Sequence, residues 1–342
     1  MNEGSRRLLW ILGTVLGIVG LSYALVRGCS DHRQVVHVMA ADALAIAMGE
    51  MEETFERENP DVDIKVTVEG SVMLLRMHLL HPADVVALAD HRLIEEGLRP
   101  DDADWLIKFA TTEIVIARTQ ASRYADEITS ENWPDILLRP DVLVGHPDPA
   151  IDPCGYFTRL SWKLADRHHA SRHPGLSERL VAKSSAQYQR PDALSVMALL
   201  QARAVDYAFV YRCHAVDHHL PYISLGDAVN LSQPARERDY SAVQVDVPNF
   251  RGKTLTMKGH PIYFGLTISK RSRQSALAER FVRFVLSKRG LDTLRRSEIV
   301  PLVPARTPGW STRIPQSLVG SVVAEPASPS GNPERAFPEQ RP

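Results

Sequence analysis

Residues 83–89 read Ala-Asp-Val-Val-Ala-Leu-Ala. This run is too apolar for a strand that has one face in water, so it predicts a strand buried on both faces of a sheet. Two β-rich runs precede it, at residues 35–39 and 64–68, and helical patterns separate the three runs. Strands that alternate with helices predict an α/β fold on an open parallel sheet with helices on both faces.

Two helical patterns have one apolar face and one charged face. The first has apolar residues at helical spacing, namely Leu44, Ala47, Met48, Met51 and Phe55. The second, at residues 276–287, carries Leu277, Phe281, Phe284 and Val285. Both patterns predict helices that pack on the sheet through one side.

Ligands of such sheets bind beyond the carboxyl ends of the strands. Gly70 and Ser71 follow one predicted strand, although Ser71 can also serve as a helix cap. Residues 152–156 read Asp-Pro-Cys-Gly-Tyr, follow a strand at residues 142–144 and begin a helix. Backbone N–H groups at a helix start favour an anion, whereas the carboxylate of Asp152 repels one. What the site binds therefore depends on what Asp152 does.

Composition sets the class of protein. The chain has 342 residues, 44% of them hydrophobic, which is enough for two α/β lobes with their own cores. A net charge of −1 gives no indication of a nucleic-acid partner. No Ser/His/Asp or Cys/His arrangement has motif support, so we predict a binding protein and not an enzyme.

The N-terminus predicts the compartment. Arg6 and Arg7 precede an uncharged apolar run at residues 8–26, about as long as a helix that spans a bilayer. Positive charges before the run favour a body on the periplasmic or extracytoplasmic side. Cys29 follows a small residue, as at a lipoprotein processing site, although Arg27 fits that site poorly. An uncleaved anchor, a lipidated Cys29 and a cleaved signal remain as alternatives, and we favour an anchored protein.

The remaining cysteines and a histidine pair leave alternatives open. Cys154 and Cys213 can form a disulfide or remain as two buried thiols. His214 and His218 have the spacing of metal ligands on one helical face, but no third and fourth ligands are evident. A solvated helix face is the favoured interpretation of that pair.

Five stretches form an ordered series along the chain. They are Phe-Ala-Thr-Thr-Glu-Ile-Val-Ile-Ala at 109–117, Asn-Trp-Pro-Asp-Ile-Leu at 132–137, Asp-Pro-Cys-Gly-Tyr at 152–156, Asp-Tyr-Ala-Phe at 206–209 and Ile-Tyr-Phe-Gly-Leu-Thr-Ile at 262–268. In order and spacing the series resembles the archaeal-type tungstate/molybdate-binding proteins of ABC transporters. The resemblance extends from about residue 35 to about residue 305.

The resemblance implies a type II periplasmic-binding-protein fold. Such a fold has two lobes, each a mixed sheet flanked by helices, and holds its ligand in the cleft between them. We assign residues 35–117 and 250–305 to lobe 1 and residues 118–249 to lobe 2. Residues 1–34 would be the membrane or signal segment with a linker. The Pro- and Ser-rich residues 306–342 are predicted to be a disordered tail.

The resemblance also implies a ligand set. In archaeal-type relatives two carboxylates approach the metal of the bound oxyanion, so Asp152 looks like a ligand to tungsten or molybdenum. The other matching positions are Ser71, the backbone of Pro153 and Cys154, and Tyr222. Hydroxyl, backbone N–H and phenol groups are the hydrogen-bond donors that an oxyanion requires.

The chain departs from the family in the turn after the first strand. The family has a Gly-Ser pair there, and here residues 41–44 read Ala-Asp-Ala-Leu. Ala43 replaces the serine, and Asp42 adds a negative charge nearby. Loss of one hydrogen bond to a charged group, about 1.5–3 kcal/mol, predicts binding weaker by about 10- to 100-fold.

A second departure concerns the second carboxylate. The family has a Gly-Glu pair before the strand that holds Asp206, and here the pair is Arg203 and Ala204. Val210 likewise stands where relatives commonly have an acidic residue. The second carboxylate of the family pattern is therefore missing here, and Arg203 would compensate in part only if it faced the cleft.

The sequence thus predicts a monomeric, extracytoplasmic solute-binding protein without a cofactor. It would capture tungstate or molybdate for import by an ABC permease and its ATPase. The alternative is the same fold with changed specificity, for another oxyanion or a small organic anion, or a sensory role. Ala43 and Ala204 motivate that alternative.

Overall fold

Fourteen strands are present in the part of the chain that the structure describes. The computed structural model describes residues 33–248 and 254–325. The strands are β1 (Gln34–Ala41), β2 (Val62–Glu69), β3 (Val85–Leu88), β4 (Ile107–Thr111), β5 (Ile114–Arg118), β6 (Val144–Pro147), β7 (Gln189–Arg190), β8 (Tyr207–Tyr211), β9 (Tyr222–Ser224), β10 (Gln244–Pro248), β11 (Thr254–Lys258), β12 (Tyr263–Ile268), β13 (Val300–Thr307) and β14 (Val322–Ala324).

Helices connect most of these strands. They are α1 (Ala45–Glu58), α2 (Ser71–Leu80), α3 (His91–Gly97), α4 (Trp133–Leu137), α5 (Pro153–His168), α6 (Leu176–Lys183), α7 (Ala193–Gln201), α8 (Arg212–Asp217), α9 (Glu237–Tyr240), α10 (Ser275–Val285), α11 (Lys288–Arg296) and α12 (Gln316–Val319). Short 3₁₀ turns occur at Asp42–Leu44, Ala186–Tyr188 and Pro234–Arg236.

The first sheet has seven strands in the order β14-β13-β4-β12-β3-β1-β2. β1 lies parallel to β2 and β3, with Val38 opposite both Val66 and Val85. All four residues of β3 are buried, as the apolar run at 83–89 predicts. β12 is antiparallel to β3 and β4, so the whole sheet is mixed. The predicted parallel arrangement is confirmed for β1, β2 and β3.

The second sheet has five strands in the order β7-β6-β8-β5-β9. β6 is parallel to β8, whereas β5 is antiparallel to β8 and β9. β10 and β11 form a separate antiparallel ribbon, after which β12 returns the chain to the first sheet. The two large sheets are the centres of two lobes.

The chain first crosses between the lobes at residues 112–113. β4 ends at Thr111 in the first sheet, and β5 begins at Ile114 and pairs with β8 in the second. This pairing corrects the lobe boundary predicted after residue 117, which left β5 in lobe 1. The apolar pattern continues through the crossover, so the sequence contains no break that would mark the boundary between the lobes.

Glu113 fixes this crossover to the second lobe. Its Oε1 accepts a hydrogen bond from Arg212 Nη1 at 2.9 Å. Its Oε2 accepts from Ser224 Oγ at 2.9 Å and from Asn230 Nδ2 at 2.7 Å. Because the carboxylate is largely buried, these donors offset the cost of removing its charge from water.

The amphipathic helices pack as their patterns predict. α1 buries Met48, Met51 and Phe55, and α10 buries Phe281. The rings of Phe55 and Phe281 meet edge to face with centroids 5.4 Å apart. These contacts join the N-terminal and C-terminal parts of the first lobe.

Residues 306–325 are ordered, which corrects the predicted start of the disordered tail. β14 pairs in parallel with β13, with Val322 opposite Ala305. Leu318 of α12 is fully buried, and Lys108 Nζ bonds Glu325 Oε2 at 2.8 Å. A few anchoring side chains are enough to hold this Pro- and Ser-rich segment, and composition alone does not reveal them.

Several predictions fall outside the described residues. They concern the apolar run at 8–26, Cys29 and the last 17 residues, 326–342. Within residues 33–248 and 254–325, none of the helices has the length and apolar character needed to cross a membrane.

Leu318→Ala tests whether the C-terminal segment is part of the folded lobe. The variant should lose about 2–4 kcal/mol of unfolding free energy, because a fully buried leucine would be replaced by a cavity. Urea unfolding measures the loss, and Val319→Ala, which removes a side chain at a position 45% exposed, is the control. If both substitutions lowered the free energy of unfolding by equally small amounts, the segment would add nothing to stability.

Candidate functional site

The two lobes meet where strands of both sheets end. Asp42 follows β1, Gly70 follows β2, and Tyr211 ends β8. A Cβ placed on Gly70 would lie 3.7 Å from the carbonyl oxygen of Ile151 and 3.9 Å from Oδ2 of Asp152. The first lobe is therefore in contact with the segment that follows β6, at the edge where α/β sheets bind ligands.

Asp152 caps α5 and is 1% exposed. Its Oδ1 accepts a hydrogen bond from Cys154 N at 2.8 Å, while Oδ2 has no partner among the described residues. Glycine is required at position 155, because a Cβ there would lie 2.4 Å from the carbonyl oxygen of Pro147. The carboxyl group thus satisfies the helix start with one oxygen and leaves the other available.

Asp42 brings a second carboxyl group to the same place. It is 4% exposed, and its Oδ1 accepts from Ala43 N at 2.8 Å. Its Oδ2 has no hydrogen-bond partner within the described part of the chain. The backbone N–H of Ala193, at the start of α7, is directed at both Asp42 and Asp152 and lowers the pKa of each.

Burial and mutual repulsion favour the protonated form of these two carboxyl groups. Burial raises the pKa of Asp42 to about 7, and the charge of Asp192 adds to the rise. Burial, followed by the charge of Asp42, raises the pKa of Asp152 well above its ordinary value. Two buried carboxyls cannot both ionise cheaply at close range. Near neutral pH at least one of them therefore carries a proton and can donate a hydrogen bond.

Tyr211 and His214 add two further groups without partners. The Tyr211 hydroxyl is buried and has no hydrogen-bond partner in the described structure. Its ring stacks on that of His214 with centroids 5.7 Å apart. His214 Nε2 lies 3.6 Å from Asp42 Oδ2, too far for a hydrogen bond.

His214 is not on a solvated helix face. It is 2% exposed, whereas His218 is exposed, so the prediction made for this pair is wrong for His214. α8 ends at Asp217, so the two histidines do not share one regular helix. Burial lowers the pKa of His214 to about 3, which keeps the ring neutral.

Ser71 and Cys154, two of the predicted ligand residues, are both buried and have different roles. Ser71 is fully buried at the start of α2, and its Oγ accepts from Ala89 N at 3.0 Å. The hydroxyl proton remains available for donation. Cys154 N–H is already used by Asp152, and Pro153 has no N–H to donate. Cys154 and Cys213 are both free thiols in the structure, and both are buried.

Tyr222 does not join this group. It lies on the edge strand β9 opposite Ala117 and is 36% exposed. Tyr211 is paired with Ile114, the first residue of β5. Ala117 lies three residues farther along β5, so Tyr222 is about 10 Å from Tyr211 along the strand direction. Tyr211 is the phenol that the fold places beside Asp152.

Ala204 and Arg203 are also remote from the site. Both are exposed in the turn before β8, at the opposite end of that strand from Tyr211. Arg203 lines a surface depression with Thr119 and His219, so it cannot compensate for a missing ligand. The sequence signal that could have identified Asp42 was its position directly after a buried strand.

Comparisons with known proteins show which family the chain belongs to. Residues 36–297 match the family described as bacterial extracellular solute-binding protein. The molybdate/tungstate-binding protein WtpA of Pyrococcus abyssi is 31% identical over 311 residues, covering 83% of this chain and 89% of that protein. The WtpA protein of Thermococcus kodakarensis is 34% identical over 290 residues, covering 76% and 80%. An uncharacterized solute-binding protein of Petrotoga mobilis is 36% identical over 256 residues, covering 74% and 79%.

Solved structures support the fold. The periplasmic molybdate-binding protein of Azotobacter vinelandii has a TM-score of 0.55 at 13% identity, covering 78% of this chain and 98% of that one. The sulfate-binding protein SubI of Mycobacterium tuberculosis H37Rv has a TM-score of 0.55 at 14% identity, covering 79% and 88%. The predicted periplasmic-binding-protein fold and the predicted resemblance are both confirmed. The chain belongs to the bacterial extracellular solute-binding protein family.

Proposed function

We propose that the protein captures molybdate or tungstate between its lobes and delivers it to an ABC permease and its ATPase. The observation that carries the proposal is the buried group of Asp42, Asp152, Tyr211 and His214, which has unpartnered polar atoms. His214 lies 3.6 Å from Asp42, and the charge of Asp152 acts on Tyr211. The names of the WtpA relatives support the choice of anion. The oxyanion is cargo, so the protein needs no resident cofactor and carries out no reaction on it.

Asp42 would supply the second carboxyl group, which the family pattern places at the position of Ala204. The resemblance implies two carboxylates near the metal of the oxyanion, and here one comes from each lobe. One carboxyl would approach the metal as a carboxylate, and the other would donate its proton to an oxide oxygen. The hydroxyls of Ser71 and Tyr211 and the N–H of Ala193 would supply further donors.

Entry of the anion would require the lobes to separate. The carboxyls of Asp42 and Asp152 are each at most 4% exposed, so no anion reaches them while the lobes are in contact. Closing around the ligand would bury it among groups that are already held in place, which limits the entropy lost on binding.

A second candidate is hydrogen phosphate or another protonated anion. Carboxylate oxygens accept hydrogen bonds, and a protonated anion brings its own donor, whereas sulfate and molybdate do not at neutral pH. Ala43 stands where relatives have a serine hydroxyl, and the neighbouring Asp42 brings a carboxyl group instead, which favours this candidate. Titrations with phosphate and sulfate beside molybdate and tungstate separate the two proposals.

Asp152→Asn tests the central residue. The wild-type protein should bind molybdate or tungstate in titration calorimetry, and its melting temperature should rise with the ligand. The substitution keeps the helix cap but removes the charge, so affinity should fall at least about tenfold. Asp126→Asn changes an exposed carboxylate of the same lobe and serves as the control. Absence of any response to all four anions would reject the proposal.

A comparison of the Tyr211→Phe and Tyr222→Phe variants tests which phenol contacts the anion. Loss of the Tyr211 hydroxyl should weaken binding by about 10-fold, because it removes a buried donor. Loss of the Tyr222 hydroxyl should leave the dissociation constant unchanged, because that side chain lies on the edge strand. A larger effect of the Tyr222 substitution would place the site elsewhere.

Asp42→Asn tests the shared proton in the ligand-free protein. The folded state holds the proton of Asp42 up to about pH 7, whereas the unfolded chain releases it near pH 4. This group's contribution to stability is therefore complete below about pH 4 and is lost as the pH rises through about 7. The asparagine variant should gain unfolding free energy relative to wild type, on the order of 2 kcal/mol, between pH 5 and pH 8.

Urea unfolding at several pH values measures that difference. Asp126→Asn should show no such trend, because its side chain is exposed. A difference between Asp42→Asn and wild type that stays constant with pH would show that Asp42 titrates normally.

A further inference from the structure

A second buried cluster lies beside the oxyanion site. Asp90 caps α3, His91 is the first residue of that helix, and His260 lies between β11 and β12, where the chain returns to the first lobe. These three residues are 0%, 6% and 7% exposed. One potential ligand atom from each lies within 4.8 Å of the other two.

The two imidazoles turn unpartnered nitrogens toward one carboxylate. His260 Nδ1 lies 2.7 Å from the carbonyl oxygen of Pro261, so Nδ1 carries the proton and Nε2 carries a lone pair. That Nε2 has no hydrogen-bond partner among the described residues and lies 3.6 Å from Asp90 Oδ2. His91 Nδ1 is also unpartnered and lies 3.4 Å from Asp90 Oδ1.

The lone pair of His260 Nε2 faces the carboxylate of Asp90, and the two repel each other unless a cation lies between them. Ligand atoms about 2.0–2.1 Å from a tetrahedral zinc ion are about 3.4 Å apart, close to the two distances between histidine and carboxylate. The bond from His260 to a backbone carbonyl is the outer contact that commonly orients a metal-binding imidazole.

We propose that Asp90, His91 and His260 bind a divalent transition-metal ion, with zinc the best match to two imidazole nitrogens and one carboxylate oxygen. The fourth position would be taken by water, and the Tyr156 hydroxyl, which donates to Asp90 Oδ2 at 2.6 Å, would hold the carboxylate in place. This site is separate from the oxyanion site and does not depend on the proposed cargo.

Two positive side chains limit the affinity. Arg92 Nε lies 3.6 Å from Asp90 Oδ2, and the charge of Lys108 also acts on His91. Lys108 is partly neutralised by its bond to Glu325 at 2.8 Å. The carboxylate of Asp90 is thus shared between Arg92 and the metal, so we expect the ion to be removable by a chelator.

The ion would join both lobes and the return crossover. Asp90 and His91 belong to the first lobe, His260 to the crossover, and Tyr156 to α5 of the second lobe. Binding of the ion would therefore stabilise the closed arrangement of the lobes, since it adds a bond between segments that separate on opening.

Cobalt binding to the chelator-treated full-length protein tests the site. One equivalent of Co²⁺ should give the visible absorption of a four-coordinate ion, and Zn²⁺ should abolish that signal by displacement. His91→Asn and His260→Asn should each weaken Zn²⁺ binding at least about tenfold. His169→Asn is the control, because His169 lies near His168 and His173 and could hold adventitious zinc at the surface.

The outcomes decide the proposal without reference to oxyanion binding. Stoichiometric binding that is lost in His91→Asn or His260→Asn and retained in His169→Asn supports it. Absence of stoichiometric cobalt or zinc binding to the wild-type protein overturns it, and so does binding that only His169→Asn removes. The wild-type measurement stands even if a buried-site variant fails to fold, and circular dichroism identifies such a variant.

Discussion

Two carboxyl groups that repel each other are buried where the lobes meet, and the surrounding structure is arranged to hold them. Asp42 and Asp152 each bond a nearby backbone N–H through one oxygen and keep the other oxygen free. The glycine at position 155 allows α5 to begin against the end of β6, and the start of α7 directs an N–H at both groups. The ends of four elements thus converge on one pair of acids.

The sequence predicts the parts of this arrangement that are local. The buried character of β3, the helix start at Asp152 and the inward faces of α1 and α10 all follow from short patterns. The resemblance to a known family extends this to the two-lobe fold. These features depend on periodicity and capping, which a single segment of chain contains.

The sequence does not predict contacts between distant segments. In the sequence Asp42 is only an added charge beside a lost serine, because nothing in residues 41–44 indicates that Asp152 lies nearby. Tyr211 and Tyr222 are both tyrosines on strands, and only the pairing of β5 with β8 and β9 shows which of them ends at the site. The buried His214 and the cluster of Asp90, His91 and His260 are hidden for the same reason.

The crossover at Glu113 bears on how the protein opens. Its three hydrogen bonds attach the crossover to the second lobe, so a rotation that opens the proposed site would bend the chain on the side of the first lobe. That rotation would separate Asp42 from Asp152 and admit water to both. A hydrated carboxyl regains its ordinary pKa near 4 and releases its proton at neutral pH. Opening of the empty protein is then an acid–base reaction as well as a movement, and the fraction of open molecules becomes a function of proton concentration.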